Sequence, residues 1–409
     1  MDGCLVLIYG IAFLVAMLIL KIPLWLTFIL ASILTSLFIG GPSFLVDNIY
    51  NTSTDPATID LVLIMYLIAV FVSLYRKTGF IDQLSRELVH ALKKPLIIIA
   101  FVPAILGLLP VPGGALMSIP IIDRVGDYIG LDKNRKLFLN VWFRHVIFVV
   151  YPLSTVLVLT STLAGVNIWV LIMGQIPIAL AMIIIGYFIG LYIGGYQRRY
   201  ELISGNTDKK LLLKVFSPII ISIAIALSTS YYLDYKYPLP VNRVSMILGV
   251  LIGTALLAKL SGIQLRDLGK VLIAGKPLEL ALVGYGAMLL RGVFTSSDLS
   301  CVIDYTPSNV PVHAIAIGLP IIFSLVSGVP TGGIALSIPI IQQITVITPA
   351  LASLIYISAF IGYLGSPLHL CYIYTAQYLG ISITKGYKYM IPSCLATIAI
   401  AYILSIIRP

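Results

Sequence analysis

Four short stretches of the chain carry residue types that interrupt a helix and expose backbone dipoles. Leu109-Pro110-Val111-Pro112-Gly113-Gly114 and Gly328-Val329-Pro330-Thr331-Gly332-Gly333 are Pro/Gly knots inside apolar sequence. Tyr151-Pro152-Leu153-Ser154-Thr155 and Gly365-Ser366-Pro367-Leu368-His369 interrupt two further apolar runs. Proline removes a donor and clashes with the preceding turn, and glycine permits φ > 0 and close approach of another group. Each stretch therefore predicts the start of a new half-helix, with proline in its first turn and Ser366 as a cap. Open N–H groups and a fractional positive charge at such an end bind anionic oxygens. Loop carbonyls and the hydroxyls of Ser118, Ser337, Thr331 and Ser366 would suit a hard cation, with candidate sodium positions near Gly113, Gly332 and Ser366.

Two cationic candidates stand beside these breaks. Arg144, within Asn140-Val141-Trp142-Phe143-Arg144-His145, lies inside an apolar span. Its fork matches a carboxylate or phosphate, and the competing role is snorkelling to inner headgroups. His369 is a candidate substrate donor or proton carrier, or a donor to one freed carbonyl. No knot or break contains Asp or Glu, so the centre is neutral to positive and favours an anionic substrate. The substrate-binding set is Pro112, Gly113, Gly114, Ser118, Arg144, Ser154, Thr155, Thr331, Gly332, Gly333, Ser337, Ser366 and His369. No P-loop, paired metal ligands or Ser/His/Asp arrangement is visible, so neither ATP drive nor an enzyme is expected. Cys4, Cys301, Cys371 and Cys394 are scattered, without CxxC or His/Cys metal spacing. That argues against a disulfide frame or structural zinc.

The elements that must position these residues are membrane spans. Of 409 residues, 59% are hydrophobic and 10% charged, with mean hydropathy +1.06, against about 25% charge in soluble domains. This excludes an ordinary soluble enzyme and a disordered chain, and predicts an all-α polytopic membrane protein. Expected crossings are 4–20, 22–39, 59–75, 138–163, 168–193, 215–232, 241–259, 272–290, 350–380 and 389–407. Of these, 138–163 and 350–380 are broken helices. The stretches 95–122 and 309–347 read as re-entrant helical hairpins. Asp2 precedes the first span where a signal peptide would be basic, so that span is expected to be retained.

The net charge of +10 sits in short loops and reads as a topology signal, not as nucleic-acid binding. With both hairpins re-entrant, 21 of the 26 Lys and Arg fall inside, four outside, and Arg144 lies within a span. Both termini are then outside a cell membrane. So are 292–308 and a polar loop at 40–58 bearing the Asn51-Thr52-Ser53 glycosylation pattern.

The knots also repeat. VPGGALMSIPII at 111–122 matches PTGGIALSIPII at 330–341. Pro152, Leu153, Thr160 and Gly165 align with Pro367, Leu368, Thr375 and Gly380 in the same order. Five crossings per half make the second half inverted: 1–193, a cytoplasmic linker 194–214, and 215–409. Inverted repeats with discontinuous helices are a recurring design of secondary transporters. The residues read as a secondary carrier for a small organic anion, driven by sodium or protons. The alternatives are a cation/proton antiporter and a non-transporting membrane enzyme or scaffold.

The run Pro112-Gly113-Gly114-Ala115-Leu116-Met117-Ser118, followed by Phe138-Leu139-Asn140-Val141-Trp142-Phe143-Arg144-His145, resembles the integral membrane family named domain of unknown function 401. That family is grouped with the ion transporter superfamily, which includes dicarboxylate, citrate, gluconate and lactate carriers and some sodium/proton antiporters. The resemblance implies an inverted-repeat carrier, often a homodimer in lipid, with hairpin tips holding substrate and coupling ion. It also implies an elevator-like motion of the hairpins and broken crossings against a scaffold. The chain departs from dicarboxylate carriers in lacking their Ser-Asn-Thr signatures, so their specificity and sodium coupling do not carry over.

Overall fold

A computed structural model describes residues 3–108, 114–193, 195–196, 207–236, 244–296 and 310–407. The first knot at 109–113, with Pro112 and Gly113, lies outside the described residues, as do most of the linker and 297–309.

Among the described residues all regular structure is helical. Apolar helices satisfy every backbone donor within the segment, which a bilayer demands. Eight segments are long and apolar enough to cross a membrane: Leu24–Thr54, Pro56–Lys77, Ile168–Tyr192, Lys209–Ser230, Val244–Ser261, Leu265–Thr295, Pro349–Leu379 and Ile383–Ile407. Each coincides with an expected crossing. The expected 4–20 is a shorter helix α1 (Gly3–Ile19). The expected 138–163 is divided between α7 (Lys133–Val146) and α8 (Thr155–Ala164).

The polar loop expected at 40–58 is instead helix. α2 (Leu24–Thr54) bends at Gly41, which takes φ 72, and resumes at Pro42. Glycine tolerates that angle and proline suits a first helical turn. Asp55 then starts α3 (Pro56–Lys77) by accepting from Ala57 N and Thr58 N at 3.2 and 3.1 Å. Two of the polar side chains turn inward: Asn48 donates to Leu289 O at 3.2 Å, and Thr52 is buried, while Asp47, Asn51, Ser53 and Thr54 stay exposed.

The remaining elements are α4 (Phe80–Leu92), α5 (Pro95–Gly107), α6 (Ala115–Tyr128), α9 (Ile168–Tyr187), α10 (Lys209–Lys236), α11 (Val244–Ser261), α12 (Leu265–Leu272) and α13 (Gly275–Ser296). They are followed by α14 (Val312–Ser327), α15 (Pro330–Ile344), α16 (Pro349–Gly365), α17 (Leu370–Leu379) and α18 (Ile383–Ile407). Two bundles form, and each draws on both halves of the chain. In one, α13 packs on α2 and α3, α11 on α3, and α10 on α11 and α4. In the other, α5 packs on α6 and α7, α14 on α15 and α16, α6 on α17, and α15 on α8. Helix α16 further packs on α9 and α18 on α7. Single glycines allow close backbone approach in the second bundle. A Cβ on Gly107 would meet Arg144 O at 2.5 Å, and one on Gly362 would meet Ile321 Cα at 2.7 Å.

Several cations expected in inside loops lie together at one end of the first bundle. Lys77 pairs with Asp267, which also holds Lys270, while Asp208 N donates to Glu87 and Lys214 lies over Phe80. Arg135, read from sequence as a loop cation, is buried instead. It donates to Gly190 O, Leu191 O and Gly195 O at 2.8, 2.8 and 2.6 Å. A cation suits the open carbonyls at the end of a helix. Arg135→Met is expected to destabilise the protein by about 2–4 kcal/mol, because three acceptors lose charged donors. Detergent melting should show a clear drop for Arg135→Met and almost none for the exposed Lys133→Met.

Candidate functional site

Both expected breaks occur in the second bundle. Helix α7 ends in a short 3-10 turn, Ile147–Val149, and α8 restarts at Thr155. Its cap is Ser154, with Leu157 N at 3.5 Å from the hydroxyl, and Pro152 lies in the turn before it. Helix α16 stops at Gly365 and α17 restarts at Leu370. Pro367 again lies in the connecting turn. Neither proline is a first helical residue, because each break is longer than a single capped restart.

Ser366 does not cap α17. Its hydroxyl donates to Leu325 O at 2.7 Å and accepts from Leu368 N at 3.1 Å. It thereby fastens this break to the end of α14, where a carbonyl would otherwise be open. The tip between α14 and α15 turns on Gly328 at φ 67. The positive φ expected of the glycine pair is thus at Gly328, whereas Gly332 and Gly333 lie within α15. Their role is close packing of the two arms. A Cβ on Gly332 would meet Ser327 Oγ at 2.5 Å, and one on Gly333 would meet Pro320 O at 2.7 Å.

The two breaks and the Gly328 tip surround a cavity of about 230 Å³. Arg144 and His145 come from α7, Ser154 and Thr155 from the start of α8, Val329 and Pro330 from the start of α15, and Cys371 from the start of α17. Three helix N-termini therefore meet at one space, each with open donors and partial positive charge. Arg144 is 1% exposed, which removes it from the headgroup position that snorkelling requires. Aromatic rings complete the wall through Phe148, Phe360 and Tyr363. No Asp or Glu lines it among the described residues.

Of the other sequence candidates, His369 is fully buried beside this space, its ring 4.8 Å from that of His145 and 3.9 Å from that of Tyr363. Thr331 and Ser337 are buried in α15 with the two glycines. Gly114 precedes α6, and Ser118 lies within it. Ser118 donates to Asn140 Oδ1 at 2.6 Å, while Asn140 Nδ2 donates to Thr375 at 3.0 Å and to Ala115 O at 3.2 Å. Asn140 thus couples α6 and α7 to α17, across both halves of the chain. Asn140→Leu should lower stability by about 1–3 kcal/mol by removing the three hydrogen bonds that tie α7 to Ser118, Ala115 O and Thr375. Both hydroxyls keep a bond to a backbone carbonyl of their own helix. A melting cycle with Thr375→Val would then give non-additive losses, and additive losses would deny the coupling.

Sequence reasoning did not single out His145 or Cys371 as site residues. His145 was visible only as the neighbour of Arg144, and Cys371 only as an apolar-flanked cysteine two residues after His369. Their meeting depends on the two breaks facing each other, which local spacing does not encode.

Residues 2–407 match the family described as protein of unknown function (DUF401). No curated protein matches the chain.

Proposed function

Since the chain belongs to the DUF401 family, and its two breaks enclose an arginine-bearing cavity, we propose that it is a secondary active carrier of a small organic anion rather than an enzyme. One observation carries this reading: a buried Arg144 and three helix N-termini converge on a single cavity without a carboxylate. Helix ends and guanidinium both favour anionic oxygens. The cavity, about 230 Å³, is below the ~300–1,000 Å³ of drug-sized sites, so the fitting ligand is a small carboxylate or phosphate-like ion.

The packing supports an inverted repeat. α5 lies on α7 as α14 lies on α16, and α6 lies on α17 as α15 lies on α8. Such reciprocal pairing is what two interlocked, similarly built halves would give. The short paired arms support re-entrant hairpins, since neither α5 nor α6 has the roughly 20 residues that a crossing needs. The division into two bundles suits an elevator-like motion of the hairpin bundle against the other, within a homodimer. Sodium or protons would drive it, and both chain ends would face outward from the cell membrane.

The test is a melting screen of purified protein against small carboxylates, phosphate-like anions and amino acids, with and without sodium. A binder raises the melting temperature by mass action, and the same compound should accumulate in proteoliposomes under an ion gradient. Stabilisation by sodium or lithium alone, with pH-driven cation flux and no anion response, would replace the carrier with a cation/proton antiporter.

A further inference from the structure

The facing breaks bring together three metal-ligating side chains from both halves of the chain. His145 ends α7, His369 precedes α17 and Cys371 lies in its first turn. Their ligand atoms all lie within 4.8 Å of one another, and all three residues are buried. We propose that His145, His369 and Cys371 form a binding site for a soft d10 metal cation, copper(I) in preference to zinc(II).

The nitrogen chemistry supports this. His145 Nδ1 lies 2.6 Å from Val141 O, so that nitrogen carries the proton and donates it to the carbonyl. The lone pair is left on Nε2, the arrangement that orients a metal-binding histidine. His369 is fully buried, its ring reaches the Leu364 backbone, and no well-formed hydrogen bond holds either ring nitrogen among the described residues. Buried polar atoms are rarely left so, and a metal bond would satisfy one of them. Cys371 is a free, buried thiol.

Bond lengths of about 2.0–2.1 Å to nitrogen and 2.3 Å to sulfur place ligand atoms roughly 3.5 Å apart. Closing the cluster to that spacing needs shifts on the order of 1 Å, within reach of side-chain rotation. The donor set selects the metal. Sodium, magnesium and calcium require oxygen ligands, while imidazole and thiolate suit copper(I) and zinc. Charge separates the last two. Arg144 lines the same cavity, and a divalent ion beside it meets like charge in a buried setting. Copper(I) bound to the Cys371 thiolate and two neutral imidazoles is a neutral centre. Binding releases the thiol proton.

This site borders the anion cavity but does not rest on the carrier reading, because it is read by metal binding without transport. The experiment titrates purified full-length protein with copper(I) under anaerobic, reducing conditions against a colorimetric chelator. One equivalent per chain is expected. Cys371→Ser and His369→Gln should each weaken it by at least about 100-fold, while Cys394→Ser leaves it unchanged. The unaltered chain provides a second readout that no folding defect can obscure. Bound copper(I) should slow alkylation of Cys371 and not of Cys394, measured by peptide mass. Substoichiometric binding, unprotected Cys371, or full affinity in both Cys371→Ser and His369→Gln would overturn the site. Zinc binding with copper(I) excluded would overturn the choice of metal.

Discussion

If the proposed anion-carrier reading holds, Arg144→Gln is expected to lower affinity for the anion by roughly 100-fold and to leave a folded protein in the membrane. A charge-assisted, two-point contact from a buried guanidinium is among the stronger polar contacts available to a small anion, and losing one partner of such a pair typically costs about 2–5 kcal/mol. Arg144 meets the conditions for such a contact: it is 1% exposed and lines the cavity. Arg144→Lys should fall between the two, because an ammonium keeps the charge and loses the fork. The measurement is the ligand-dependent rise in melting temperature, followed as a titration for all three proteins. A purely structural arginine would show a different pattern, with lower melting of the ligand-free protein and an unchanged ligand titration. That pattern would remove Arg144 from the site.

How much of this arrangement could be read from residues alone depends on the range of the signal. The breaks at Pro152 and Pro367 were legible because proline acts on its own turn, and the structure has non-helical turns at both. Membrane spanning was legible because it needs only an apolar run of sufficient length. Local chemistry misled at 40–58, where polar residues and a Gly-Pro pair resemble a loop. Asn48 shows why they do not form one: a helix can turn a polar side chain toward Leu289 O across the bundle, and such a partner is invisible in sequence. Ser366 failed similarly as a cap, since its hydroxyl serves a carbonyl from α14. Arg135 read as a loop cation because its three carbonyl partners lie some 55 to 60 positions away. The meeting of His145, His369 and Cys371 is likewise a contact between distant parts of the chain. It requires both halves to fold and their breaks to face each other. Patterns of one helical turn were therefore legible, and contacts between the halves were not.

Gly328→Val should be the most damaging single change at the cavity, costing about 2–5 kcal/mol and abolishing anion-dependent stabilisation. Two independent costs combine there. Gly328 holds φ 67, a region that costs an ordinary residue about 1–2 kcal/mol and suits a β-branched one least. A Cβ at this position would also meet Leu368 Cβ at 2.7 Å and Leu368 O at 3.2 Å, and overpacking typically adds about 1–3 kcal/mol. Both opposing atoms are fixed to the backbone, so no rotamer change relieves the contact. The tip or the second break has to move, and His369 and the start of α17 move with it. Gly332→Ala provides the comparison. Its Cβ would meet the Ser327 hydroxyl at 2.5 Å and Cβ at 2.7 Å, but its φ is ordinary helix, so only the packing cost applies. Gly328→Asn separates the two terms at one position, because asparagine tolerates positive φ while its Cβ still meets Leu368. The expected order of melting temperatures is wild type, then Gly332→Ala, then Gly328→Asn, with Gly328→Val lowest. Wild-type melting and anion response in Gly328→Val would mean that the tip does not press on the second break, and the cavity wall would lose that contact.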